Sequence, residues 1–293
     1  MVRIGGQLLR VVLAAIVVGL GMIGSSGAGL AAEAVDLALV IATDTSRSVD
    51  EVEARLQREG VAAAFRHPQV IEAIQSGYHR RIGVAYIDWS SHMYSTVVLP
   101  WRVIDGPASA DEYAKALTAA PITLGQRTSI SEGLDLAYKL LADGNMQATR
   151  RVVDVSGDGP NNYGRLVTES RDELVAKGIT INGLPIINER DQFGPGRNLK
   201  DLDDYYRGCV IGGTGAFIIV AKDFQDFSNA IRRKLIFEIA DLRPSEPMRR
   251  SNGIVPAAAS NEQRFGSGYT YPGGCDAGER MWRREFDYSP SYR

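Results

Sequence analysis

Residues 36–48 read DLALVIATDTSRS, an apolar run that stops at an acid followed by hydroxyls at alternate positions, Asp44, Ser46 and Ser48. A strand buried on both faces of a parallel sheet reads as a near-continuous apolar run, and open α/β sheets bind ligands just beyond the carboxyl ends of their strands. The three oxygen-bearing side chains therefore fall where a ligand would sit. Carboxylate and hydroxyl oxygens are hard donors, suited to Mg²⁺, Mn²⁺ or Ca²⁺ and poorly suited to a soft metal. A plainer explanation stands beside this one. Ser48-Val49-Asp50-Glu51 has the spacing of a capping box, and Ser48 could simply cap a helix running through Phe65.

Two later segments carry the same kind of chemistry. Residues 124–134, LGQRTSISEGL, put Thr128 in a polar loop ahead of a helical pattern whose apolar positions include Ile130, Leu134, Ala137 and Leu141. Thr128 is a candidate third hydroxyl, with another cap as the alternative, since Ser129 and Glu132 have capping-box spacing. Residues 150–162, RRVVDVSGDGPNN, give a second β-branched run that ends in Ser156-Gly157-Asp158-Gly159. Asp158 is a second candidate carboxylate. Glycine on either side lets backbone approach an ion closely, although Asp-Gly is also an ordinary turn signal.

With these three motifs in order, residues 35–241 resemble the von Willebrand factor type A family. The resemblance implies a metal-ion-dependent adhesion site, or MIDAS, built from Asp44, Ser46, Ser48, Thr128 and Asp158, all five of which are present. It also implies that hydroxyls touch the metal directly, that the aspartates often act through water, and that a partner's carboxylate completes the coordination. Residues 156–162, SGDGPNN, and 205–213, YYRGCVIGG, look like an uncharacterised proteobacterial branch of that family, with no assigned activity. Two carboxylates and three neutral hydroxyls leave a divalent ion, Mg²⁺ in the first place, underneutralised and attractive to an external anion. The expected partner is a protein presenting an acidic side chain. Asn161, Asn162 and Asp154 depart from the third motif of most relatives, and kinship assigns them no purpose.

Asp154 is excluded from the ion on distance. A strand rises about 3.3 Å per residue, so Asp154 lies about 13 Å from Asp158. A carboxylate inside VVDVS is costly unless paired, and Arg150 or Arg151 is the expected partner.

Arg81–Trp89 and 94–103 read as strands joined by a short turn near Ser90 and His92, which suits an antiparallel edge hairpin. Residues 179–187 and 216–221 read as further strands, and 110–118, 165–177 and 224–240 as helices. The expected fold is a doubly wound, mostly parallel α/β sheet with helices on both faces and one antiparallel edge strand, the Rossmann-like von Willebrand A arrangement. Residues 188–200, NERDQFGPGRNLK, read as a long polar loop on or beside the ligand-binding rim, where specificity would reside.

The flanks read differently. Arg3 and Arg10, an apolar segment from Val11 to Ile23 and small residues through Ala34 have the layout of a secretory signal peptide, with cleavage expected after Ala32 or Ala34; an uncleaved anchor is the alternative. The expected location is periplasmic or secreted, with envelope association possible. Residues 242–293 lose periodicity and read as a flexible tail or interaction segment. Cys209 and Cys275 suit an oxidising compartment and could form a disulfide.

A net charge of −2 and 44% hydrophobic content allow a sizeable core and give no electrostatic footprint for nucleic acid. No catalytic constellation stands out. His67, His79 and His92 lack zinc-site spacing, and residues 212–215, GGTG, precede an apparent strand instead of joining a strand to a helix. A metal-dependent hydrolase would need a base beside the ion, for which Asp88 and His92 are the candidates. A structural domain with no ion is the third reading.

Overall fold

The computed structural model describes residues 33–91, 93–144, 146–187, 199–242 and 269–287. The apolar run that opens the sequence argument is β1 (Glu33–Asp44), the central strand of a five-stranded sheet. It pairs in parallel with β2 (Ile82–Trp89) on one side and β4 (Met146–Gly157) on the other. β5 (Thr180–Pro185) adds in parallel to β4, and β3 (Thr96–Ile104) adds antiparallel to β2, giving the order β3-β2-β1-β4-β5.

Helices cover both faces because side chains alternate along β1. Leu37, Leu39 and Ile41 enter one core with α1 (Glu51–Arg66), α2 (Pro68–Ser76), α3 (Pro107–Ala119) and α7 (Phe227–Ile239), against residues such as Phe65, Ile74, Tyr113 and Leu235. Ala38, Val40 and Ala42 enter the other core with α4 (Ile130–Asp143), α5 (Val167–Ala176), the short α6 (Leu202–Tyr205) and α8 (Ala277–Asp287). Each fully buried leucine or isoleucine in these layers contributes about 1.5–3 kcal/mol relative to exposure. The expected doubly wound, mostly parallel α/β fold with one antiparallel edge strand is the fold observed.

Three expectations change in detail. Residues 216–221 run along β5, but make only isolated bridges, Gly183 with Ile218 and Ile186 with Ala221. Between the two bridges Pro185 has no backbone N–H to donate, and before them the Phe217 N–H bonds the side-chain oxygen of Asn182 at 3.0 Å instead of the ladder. Asp154 is paired as required, but with Lys234 of α7, Nζ to Oδ1 2.6 Å, both side chains buried. Arg150 instead bonds the carbonyls of Glu238 and Ile239, and Arg151 bonds that of Lys177.

The third correction concerns the expected flexible tail. Residues 269–287 fold onto the domain, with Tyr271 and Ala277 buried in the second core and α8 packed against it. Cys209, in the π-helical turn Tyr206–Val210, is joined to Cys275 with a Cα–Cα distance of 5.4 Å. The signal-peptide segment 1–32, residues 243–268 and positions 188–198 of the polar loop lie outside the described residues.

Candidate metal centre

β1 ends by turning on its own acid. Oδ1 of Asp44 accepts the Ser46 backbone N–H at 2.6 Å, a local bond of the kind that makes Asp a turn residue. Gln57 of α1 holds the turn from behind, its Nε2 donating to the Asp44 carbonyl at 2.9 Å. The chain then enters α1 through Asp50, not Ser48. Asp50 accepts the Glu53 N–H at 2.8 Å and Glu53 returns the bond to the Asp50 N–H at 3.0 Å, a complete capping box. The capping explanation of Ser48 is thereby replaced, and its hydroxyl turns to the strand ends.

There it meets the other motifs. Ser48 Oγ donates to Oδ1 of Asp158 at 2.5 Å and lies 3.1 Å from Ser46 Oγ. Thr128 Oγ1 donates to Ser46 Oγ at 3.3 Å. On the α4 side, Ser129 is the cap, its hydroxyl accepting the Glu132 N–H, so Thr128 is not needed for capping. The structure thus brings Ser46, Ser48, Thr128 and Asp158 into one hydrogen-bonded chain, with Asp44 bound to the Ser46 amide.

Asp44 is the most constrained member. It is fully buried, and its Oδ2 has no hydrogen-bond partner among the described residues. Burial, followed by repulsion from Asp158, pushes its carboxyl well above the usual aspartate range. An unpaired buried carboxylate oxygen next to a second acid is the electrostatic condition that a bound cation relieves. Close approach is built in at Gly157, where a Cβ would lie 2.9 Å from Asp44 Oδ2 and 3.0 Å from the Tyr206 hydroxyl. Among the described residues no group of three or more His, Cys, Asp or Glu could hold a metal. Two carboxylates and three hydroxyls are instead a hard oxygen set that fits Mg²⁺ or Mn²⁺.

Two residues left unexplained by the sequence support this loop. Asn162 brackets Thr128: its Oδ1 accepts the Thr128 N–H at 3.0 Å and its own N–H donates to the Thr128 carbonyl at 2.8 Å. Asn161 is fully buried and accepts the Ser131 N–H at 3.0 Å, tying the third motif to the start of α4. Their only signal in the sequence is a pair of carboxamides directly after the third motif.

The proposed hydrolytic base is engaged elsewhere. Asp88 is buried and ion-paired to Arg58 at 2.5 Å, and it also accepts from Thr43 at 3.2 Å. Burial raises its carboxyl, against the opposing pull of Arg58. His92 lies outside the described residues.

Strand order and double winding define an open, doubly wound α/β protein with a cluster of oxygen-bearing side chains beyond the carboxyl ends of β1 and β4. The chain belongs to the family described as "Protein of unknown function (DUF1194)", whose model matches residues 34–243. The fold is similar to the pilus adhesin SpaC from Lactobacillus rhamnosus GG in its open conformation, at 12% identity and TM-score 0.51, covering 70% of this chain and 30% of that one. A von Willebrand factor type A protein from Catenulispora acidiphila matches at 14% identity and TM-score 0.47, covering 70% and 43%. Proximal thread matrix protein 1 from the mussel byssus, in a structure with a zinc-occupied MIDAS motif, matches at 13% identity and TM-score 0.47, covering 71% and 47%. In each case the match spans less than half of the other protein. No curated protein matches the sequence.

Proposed function

We propose that this protein is an exported binding module that holds a divalent cation, Mg²⁺ in the first place, through Asp44, Ser46, Ser48, Thr128 and Asp158, and presents it to an acidic side chain of a protein partner. The observation that carries the proposal is the buried Asp44 carboxylate, one oxygen unpartnered among the described residues and the other bound to the Ser46 amide, beside a hydroxyl chain that runs from Thr128 through Ser46 and Ser48 to Asp158. A bound cation supplies an electrophilic position for an incoming carboxylate. The protein's own residues hold the donors and exclude competing bases: Asp88 stays with Arg58, and Gln57 and Asn162 fix the two loops. Adhesion in the SpaC pilus protein accords with a binding role on this fold.

Calorimetry with Mg²⁺ and Mn²⁺ tests the site. Binding is expected in the wild type and absent in Asp44→Ala; equal binding in both removes the site. An assay of phosphoesters and peptides with metal-loaded protein tests the competing enzyme class, since turnover abolished by Asp44→Ala would replace the binding role with hydrolysis. Export is proposed from the Arg-flanked apolar segment, with removal after Ala32 or Ala34. N-terminal sequencing of the native protein should start at Glu33 or Val35, and a chain starting at Met1 would favour an anchored form.

A further inference from the structure

The Thr128 loop is supported from beyond the residues that the family shares. Asn161, adjacent to the Asn162 clamp, donates from Nδ2 to the carbonyls of Tyr163 and Arg165, both at 3.2 Å, and to Oε1 of Glu279 at 2.8 Å. Glu279 belongs to α8. One residue earlier in α8, a Cβ at Gly278 would overlap the Asn161 carbonyl, so helix and loop meet backbone to backbone. One turn of α8 beyond Gly278, the indole of Trp282 has the Arg127 guanidinium stacked 3.4 Å from its ring centroid. Arg127 immediately precedes Thr128. The helix therefore touches the Thr128 loop by two separate routes, through Asn161 and through Arg127.

α8 is itself fastened at its base. The Cys209–Cys275 bond joins it to the turn after α6, and the buried Tyr271 donates its hydroxyl to Asp201 at 2.9 Å. Tyr205 completes the connection, since its hydroxyl accepts the Asn161 N–H at 3.2 Å and donates to the Cys275 carbonyl at 3.4 Å. We infer that residues 269–283 form a positioning clasp for the cation site: fastened by Cys209–Cys275, they hold the Asn161–Asn162 loop and thereby the Thr128 hydroxyl in place. Glu279 is a positioning residue, acting on the ion only through Asn161, Asn162 and Thr128. The clasp itself is independent of any ion; its effect on metal affinity rests on the metal-binding function proposed above.

Two measurements on the full chain separate the two ideas. The first is hydrogen exchange without metal over residues 125–132, whose Thr128 and Ser131 amides bond Asn162 and Asn161. Exchange should accelerate at least tenfold in Glu279→Ala and in the Cys209→Ser, Cys275→Ser double variant, while Glu279→Gln, which keeps an acceptor for Asn161, stays near wild type. Unchanged exchange in both the Glu279→Ala and the cysteine variants overturns the clasp. The second is Mn²⁺ calorimetry, where removal of outer-shell partners typically costs 10–100-fold in metal affinity. About tenfold weaker binding is expected in Glu279→Ala, with recovery in Glu279→Gln; faster exchange with unchanged Mn²⁺ affinity overturns the link to the site. If wild type binds no Mn²⁺, the proposed metal function fails, and the exchange experiment still decides whether the clasp exists. Glu279→Ala retains both cysteines, so the test survives if the double variant fails to fold.

Discussion

Asp154 and Asp158 stand four residues apart at the end of one polypeptide run, and their surroundings are opposite. Asp154, inside β4, faces Lys234 at 2.6 Å, and the same ammonium meets Glu238 at 2.5 Å. Asn182 of β5 donates to Glu238 at 2.8 Å, so α7 is bound to two strands by a cluster that contains its own cation. Asp158, just past the strand, ends the hydrogen-bonded chain from Thr128 through Ser46 and Ser48, with the second acid, Asp44, bound to the Ser46 amide. The first arrangement contains its own cation, although Asp154 Oδ2 and Glu238 Oε2 have no hydrogen-bond partner among the described residues. The second sets two acids beside each other around the buried Asp44, the condition that the proposed cation would relieve.

Substitutions at four positions test that contrast. The largest effect is expected from Lys234→Met, which strands the buried Asp154 carboxylate; breaking one side of a buried pair typically costs about 3–5 kcal/mol. Urea denaturation measures it, and a loss below about 1 kcal/mol would mean that Lys234 does not sustain the buried Asp154 carboxylate. Asp44→Ala should behave in the opposite sense. Without metal it should be at least as stable as wild type, because a buried carboxylate with an unpaired oxygen is gone. With Mn²⁺ only the wild type should gain stability, by about 2.7 kcal/mol at a concentration one hundred times Kd. Thermal melting with and without Mn²⁺ reads both halves.

A pH series probes the same division. Burial, with repulsion from Asp154, pushes the Glu238 carboxyl from 4.5 to about 7. A carboxyl whose folded value lies above its unfolded value binds more protons when folded, so its contribution to stability is full below pH 4.5 and is lost as pH rises through about 7. Wild type should therefore lose stability between these limits relative to Glu238→Gln, whose profile should be flatter across the window; parallel profiles would show that Glu238 does not titrate there. Asp44 and Asp88 are displaced in the same direction, so the difference between the two proteins is the informative quantity. The smallest effect is expected from Asn162→Ala. Losing the bond to the Thr128 amide should cost about 1 kcal/mol in denaturant unfolding. It should also weaken Mn²⁺ binding several-fold, and unchanged binding would detach Thr128 from the ion.

The sheet is legible in the sequence, and so are the three motifs whose side-chain oxygens the structure gathers at the strand ends, because each depends on local order. Leu37 to Ala42 can only be a strand buried on both faces, and each site residue sits directly after such a run or directly before a helical pattern. What stays hidden is pairing across the chain. Asp154 announces a need for a cation, but the nearby arginines are engaged by backbone carbonyls, and the lysine that answers lies eighty positions on, in α7. Asn161 and Asn162 look like loop residues until Thr128 and Ser131 are placed beside them. Glu279 and Trp282 fall in α8, whose Ala277, Met281 and Trp282 do recur at helical spacing, but the stretch is short, rich in Arg and Glu and flanked by Pro, Gly and Ser, so its composition reads as a tail.

Cys209 and Cys275 are the only two cysteines in the sequence. A single pair admits a single connectivity, so oxidation within one molecule has no wrong isomer to correct and calls for an oxidant without a disulfide-shuffling catalyst. The partners are 66 positions apart, and closing a loop of that size lowers the entropy of the unfolded chain by the equivalent of about 4 kcal/mol. Cys209 cannot meet this partner until Cys275 has been made, by which time every strand segment of the sheet has been synthesised. A closed Cys209–Cys275 bond therefore certifies a chain translated through all five strands, which a truncated product could not form.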